Sequence, residues 1–141
     1  MANLVVHFEI HASDPQRLID FYSQLLGWRF TRFGDLEYWG IDTGDGSIQA
    51  GVATGGGING GLAQRSGPAP QVGAPVSGAN IVVAVDDVDA TFARGIELGG
   101  VEAVAPDDLP GVGRLAYLLD PDNNVFGFIS PVLSDGTNVM G

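Results

Sequence analysis

The stretch His7–Trp28, HFEIHASDPQRLIDFYSQLLGW, is matched in plan by Asn80–Val101, NIVVAVDDVDATFARGIELGGV, 73 residues further on. In each, the residue seven places after the first is acidic (Asp14, Asp87), and the residue twenty places after it is glycine (Gly27, Gly100). Few residues are identical; the spacing of strand, cap, helix and stop is what repeats. An acidic side chain at a helix start accepts a hydrogen bond from a free N–H of the first turn. A glycine at the far end takes up the left-handed conformation that closes a helix. A chain with this plan is two copies of one βα-led module.

In the first copy, Leu4, Val6, Phe8 and Ile10 alternate with His7, Glu9 and His11, which predicts a strand with one core face and one polar face. Ser13 or Asp14 caps the helix and Pro15 enters its first turn. Leu18, Phe21, Tyr22, Leu25 and Leu26 form the stripe that packs on a sheet. Strands are expected at 28–33, 36–42 and 47–53, with turns at Gly34-Asp35 and Thr43–Gly46. Residues 1–53 then form one β-α-β-β-β module.

The second copy, residues 79–130, has a strand at 79–85 and a helix capped by Asp86 or Asp87. That helix carries Val88, Phe92 and Ile96 and is stopped by Gly99-Gly100. Strands follow at 101–104, 113–119 and 124–130. Residues 131–141 read as a loose C-terminal tail. Residues 54–78, rich in Gly, Pro and Ser, read as a linker or a flap over a pocket. Within them Gly55-x-Gly57-x-x-Gly60 matches a dinucleotide string. The mechanism needs a helix directly afterwards, and Gly61, Gly67, Pro68 and Pro70 argue against one. The turn Asp120–Asn124 resembles a calcium loop, but Val125 and Pro131 stand where that loop needs Gly and Glu, so it reads as a hairpin turn.

With 45% hydrophobic residues the 141-residue chain can bury a core. It has no cysteine, which removes disulfides and thiolate chemistry and fits a reducing compartment. Six scattered Lys and Arg against a net charge of −11 argue against nucleic acid as a partner; the acidity itself reads first as solubility, with a field that attracts a cationic small molecule as the sharper alternative. No run approaches the roughly 20 apolar residues that cross a bilayer. The start, MANLVVHFEIHAS, lacks the basic region of a signal peptide, so a cytoplasmic protein with no membrane partner is expected.

HFEI at 7–10, FY at 21–22, LGW at 26–28 and D-P-D-x-N-x-F-G-F at 120–128, together with VDDVDA and GGINGGL, carry a resemblance over residues 4–130. The chain resembles the vicinal oxygen chelate superfamily of glyoxalases, bleomycin-resistance proteins and extradiol dioxygenases, in a glyoxalase-like bacterial branch. The resemblance implies an α+β fold of two β-α-β-β-β modules with concave mixed sheets, and a homodimer. In metal-dependent relatives two first-strand and two last-strand positions hold a divalent ion. Carried over, these are His7, Asn80, Gln49 and Gly127. Only His7 is a standard ligand, with Gln49 a weak second, so no metal or other cofactor is expected, and a divalent metal is the alternative.

The residues themselves allow one further arrangement. His7, Glu9 and His11 share a strand face at about 6.8 Å steps, so two of them, completed by Gln49, could chelate an ion, whereas all three cannot. His7, Glu9, His11, Gln49 and Asn80, with Tyr38 or Trp39 as an aromatic wall, form the expected ligand site on the concave face. Three functions follow. The first is metal-free binding of a small, cationic or aromatic organic ligand. The second is a lyase, isomerase or dioxygenase-type enzyme, metal-dependent through His7 or metal-free with Glu9 or His7 as general base. The third is a scaffold with a vestigial cup.

Overall fold

A computed structural model describes residues 5, 7–48, 56–76 and 78–140. Leu4, Val6 and Gln49 lie outside the described residues. The chain divides into two units, residues 1–69 and 70–141.

The first unit runs β1 (Phe8–Ala12), α1 (Pro15–Leu26), β2 (Arg29–Arg32), β3 (Tyr38–Asp42), β4 (Ser47–Ile48), β5 (Gly57–Ile58) and β6 (Gly60–Gln64). Its main sheet has the order β1-β6-β3-β2, with β6 parallel to β1 and the other pairs antiparallel. The predicted alternation holds: Ile10 and Ala12 are buried, while His7, Glu9 and His11 point away from the core. Asp14, not Ser13, caps α1, accepting from the Arg17 N–H, and Gly27 closes it with φ 72°. Leu18, Phe21 and Tyr22 are buried, and Trp28 stacks on Tyr22 with centroids 5.2 Å apart.

The fourth strand differs from expectation. Among the described residues β4 pairs with β5, outside the main sheet, and residues 49–53 of the expected strand lie outside the described residues. The strand beside β1 is β6, inside the stretch read as linker or flap. Its three small residues, Gly60, Gly61 and Ala63, hide the strand pattern behind loop composition. Backbone pairing and the buried Leu62 outweigh the low strand propensity of glycine here. A strand rather than a helix follows Gly60, which leaves the dinucleotide string without its phosphate-binding helix.

The second unit runs β7 (Ile81–Ala84), α2 (Val88–Glu97), β8 (Val101–Leu109), β9 (Gly113–Leu119) and β10 (Val125–Ser130), in the sheet order β7-β10-β9-β8. Again the last strand runs parallel to the first. Asp87 caps α2 through the Ala90 N–H. Gly99, at φ 105°, is the left-handed residue beyond it, and Ile96 is exposed and not part of the packed stripe. Phe126, Phe128, Ala116, Leu118 and Val88 are buried. β8 outruns its predicted end at residue 104, passing through Pro106. An edge position and two register shifts spare the chain the N–H that proline lacks.

The tail is folded, not loose. Leu133 N–H donates to Thr137 O and Val139 N–H to Pro131 O. The Ser134 N–H and hydroxyl both donate to Asp108. Arg114 joins Asp108 at 3.0 Å to Asp89 at 2.7 and 2.8 Å. The Ser134 hydroxyl holds the Asp108 carboxyl, and Arg114 that of Asp89, below the usual carboxylate range.

The Asp120–Asn124 turn is a hairpin, as expected. The fully buried Asp120 carboxylate accepts the N–H groups of Asp122 and Asn124 and the Asn124 side-chain amide. Asp120→Ala leaves these donors without their acceptor and is expected to lower stability by about 1–2 kcal/mol, read as a lower urea midpoint at unchanged slope.

Candidate functional site

The open face of the first unit's sheet, opposite α1, carries the polar groups. Across the sheet Glu9 pairs with Gly61, Gly61 with Gly40, and Gly40 with Thr31. One row along, His11 pairs with Ala63, and Ala63 with Tyr38. Neighbouring strands lie about 4.8 Å apart, so Tyr38 starts two strands away from Glu9. Its side chain nonetheless reaches β1, because it passes over Gly61. A Cβ on Gly61 would fall on the Tyr38 hydroxyl. Phe33 lies over Gly40 in the same way, 3.2 Å from the site of a Cβ, and stacks on Tyr38 at 5.8 Å and 27°. The two glycines form a flat track on which two aromatic rings rest.

At the end of that track the Tyr38 hydroxyl lies 3.0 Å from His7 Nε2. Burial, the Glu9 charge and a hydrogen bond to Glu9 push the phenol above its ordinary pKa. It therefore stays protonated at neutral pH and donates to Glu9. His7 must then donate from Nε2 to the phenol oxygen. His11 Nε2 donates to Glu9 Oε1 at 2.8 Å. Glu9 is thus an acceptor for two donors, while its side chain is 45% exposed. A carboxylate so held is a better anchor for a positive group than a base for proton abstraction.

Of the expected site residues, His7, Glu9, His11 and Tyr38 come together on this face. Tyr38, not Trp39, is the aromatic member; Trp39 pairs in register with the buried Leu62 and lies 5.2 Å below the Arg32 guanidinium. Asn80 is exposed just before β7, in the second unit. Gln49 lies outside the described residues. Gly61, Gly40 and Phe33 join His7, Glu9, His11 and Tyr38 without any pattern in the sequence that marks them as site residues, apart from the unexplained glycine pair in GGINGGL.

In the second unit the equivalent row is Val82, Gly127, Tyr117 and Val104. Val82 stands 73 places after Glu9, and Gly127 pairs with Val82 as Gly61 pairs with Glu9. Gly61 is therefore the register counterpart of Gly127 in the first unit. A Cβ on Gly127 would meet the Tyr117 ring at 2.6 Å. Gly61 and Gly127 thus occupy matching last-strand positions, and a tyrosine takes up the side-chain space at each. Among the described residues no group of three or more His, Cys, Asp or Glu side chains is placed to hold an ion. The first unit offers one imidazole and a glycine at these positions and the second an amide and a glycine, and neither set by itself fits a catalytic divalent metal, which needs about three good donors.

Two βαβββ units, each with a four-stranded mixed sheet and one helix, define the class. Residues 4–128 match the Glyoxalase/Bleomycin resistance protein/Dioxygenase superfamily, and the chain belongs to it. Among curated proteins it is similar to the anthracycline biosynthesis protein DnrV of Streptomyces peucetius, 31% identical over 137 residues, which cover 95% of this chain and 49% of DnrV. The chain spans half or less of the length of the curated relatives it matches. Among solved structures it is similar to TnmS3, an antibiotic-binding protein from Streptomyces sp. CB03234, with a TM-score of 0.64 and 24% identity over 93% of this chain and 98% of that one. It is also similar to the fosfomycin resistance protein FosX of Listeria monocytogenes, in complex with Mn(II) and a dihydroxypropylphosphonic acid, with a TM-score of 0.66 and 17% identity over 92% and 90% of the two chains. These likenesses to structures show the fold.

Proposed function

We propose that this protein is a metal-independent binder of a small organic cation that carries an aromatic ring. The observation that supports it is the accessible Glu9 carboxylate, held by His11 and Tyr38 beside the stacked rings of Tyr38 and Phe33. A carboxylate takes an ammonium or amidinium head. The exposed Phe33 ring gives the ligand's aromatic part a surface to stack on, and its face attracts positive charge. The net charge of −11 concentrates cations near the protein at low salt. The likeness to TnmS3, named as an antibiotic-binding protein, supports the same direction. His7 completes the proposed polar contacts, and a cytoplasmic homodimer is the proposed working form. Among the described residues no helix is long and apolar enough to cross a membrane.

The test is calorimetric titration with pairs of aromatic compounds that differ only in an amine against a neutral isostere. Binding confined to the amines, weakening as salt rises, is expected. Equal binding of both members, or of neither, contradicts the proposal. Light scattering at working concentration checks the dimer.

A further inference from the structure

Three side chains of the first unit's open face meet around one atom. The Tyr38 hydroxyl is 3.0 Å from His7 Nε2 and is hydrogen-bonded to Glu9, and Glu9 in turn holds His11. That atom arrives from β3, two strands away, and only because Gly61 yields the space. An imidazole nitrogen and a carboxylate oxygen converging on one point is also how a protein begins a zinc site.

We infer that Tyr38, lying over Gly61, plugs a latent divalent-metal site formed by His7 and Glu9. The inference rests on the metal-independent function proposed above. It adds that Tyr38, and not only the missing last-strand carboxylates, keeps an ion from this face. Both donors already lie within hydrogen-bond reach of the hydroxyl, so each needs to move by about 1 Å to reach a bonding distance of roughly 2.1 Å. Both belong to accessible side chains, so closing on an ion costs mainly rotamer freedom. His11, bonded to Glu9, would keep the carboxylate oriented, as groups behind metal ligands do. With Tyr38 in place an ion at this point overlaps the phenol oxygen. Water would fill the remaining positions. An imidazole donor favours Zn2+ or Ni2+ over Ca2+ or Mg2+, which prefer oxygen.

The experiment is calorimetric titration of Zn2+ into the full chain as wild type, Tyr38→Ala and the double variant Tyr38→Ala/His7→Ala. The expected result is one Zn2+ bound by Tyr38→Ala at least tenfold more tightly than by wild type, with the gain lost in the double variant. A folded Tyr38→Ala with no gain overturns the inference and leaves the metal-independent function standing. A gain that persists without His7 overturns it as well, by placing the ion elsewhere. Stoichiometric, sub-micromolar Zn2+ binding by wild type itself overturns the metal-independent function, whatever Tyr38→Ala does. Should Tyr38→Ala melt without cooperativity, Tyr38→Val carries the same test, since it removes the phenol while keeping a strong strand former.

Discussion

Gly127→Glu is expected to lower the stability of the protein by about 2–4 kcal/mol and to confer no affinity for Mn2+. Read against metal-dependent relatives, the change restores a lost carboxylate. In this structure the Cβ alone would come within 2.6 Å of the Tyr117 ring and 3.1 Å of the Ala116 carbonyl oxygen. Gly127 is buried on the central strand β10, between Val82 and Tyr117 in the sheet register. The new side chain must displace the Tyr117 ring or push β9 away, and it brings a charge against apolar neighbours with no partner. Gly127→Ala separates the two costs: it carries the steric clash without the charge and should lie between wild type and Gly127→Glu. Urea unfolding reads the difference as a fall in midpoint. An unchanged midpoint, or tight Mn2+ binding by Gly127→Glu, contradicts the assignment of Tyr117 to that space.

Glu9→Gln is expected to weaken binding of an aromatic amine by about 10–100-fold, the range of a hydrogen bond to a charged group, while changing the melting temperature little. The substitution keeps shape and removes charge, and the side chain is 45% exposed, so little folding energy depends on it. A second readout belongs to the site alone. Burial raises the Tyr38 pKa most, and the charge of Glu9 and its hydrogen bond raise it further. Removing the charge lets the phenol lose its proton at a lower pH. A spectrophotometric titration of phenolate in Glu9→Gln against wild type, with Tyr38→Phe to assign the signal, should show Tyr38 ionising earlier in the variant. Unaltered amine affinity would remove Glu9 from the site, and an unaltered Tyr38 titration would remove the hydrogen bond between them.

Much of the fold is legible in the residues. The 73-residue offset, the caps at Asp14 and Asp87 and the helix stripe of Leu18, Phe21 and Tyr22 all appear in the structure where periodicity puts them. The polar face of β1 follows from simple alternation, and three of the four residues gathered at the site lie on it. What sequence could not supply was long-range pairing. Gly60–Gln64 looks like a linker because its glycines have no pattern of their own. Their purpose appears only when Tyr38, 23 residues earlier, is seen crossing above Gly61. The same blindness put the last-strand position at Gln49 instead of Gly61. Trp39 and Tyr38 could not be told apart because strand parity needs a known end point, and β3 begins two residues later than predicted. The tail read as loose because Ser134 has no local partner; its partner, Asp108, lies 26 residues away.

This member of the superfamily is proposed to work without a metal, through Glu9 and the rings beside it. The most direct test is the metal content of protein purified without chelators, combined with its melting temperature in excess Mn2+, Co2+, Ni2+ and Zn2+. Any ion that binds only the folded state must raise that temperature by mass action. Far less than one metal per chain and no shift with any of the four ions are expected. One metal per chain, or a clear rise with a single ion, would contradict the proposal and turn the search towards metal-dependent catalysis at His7.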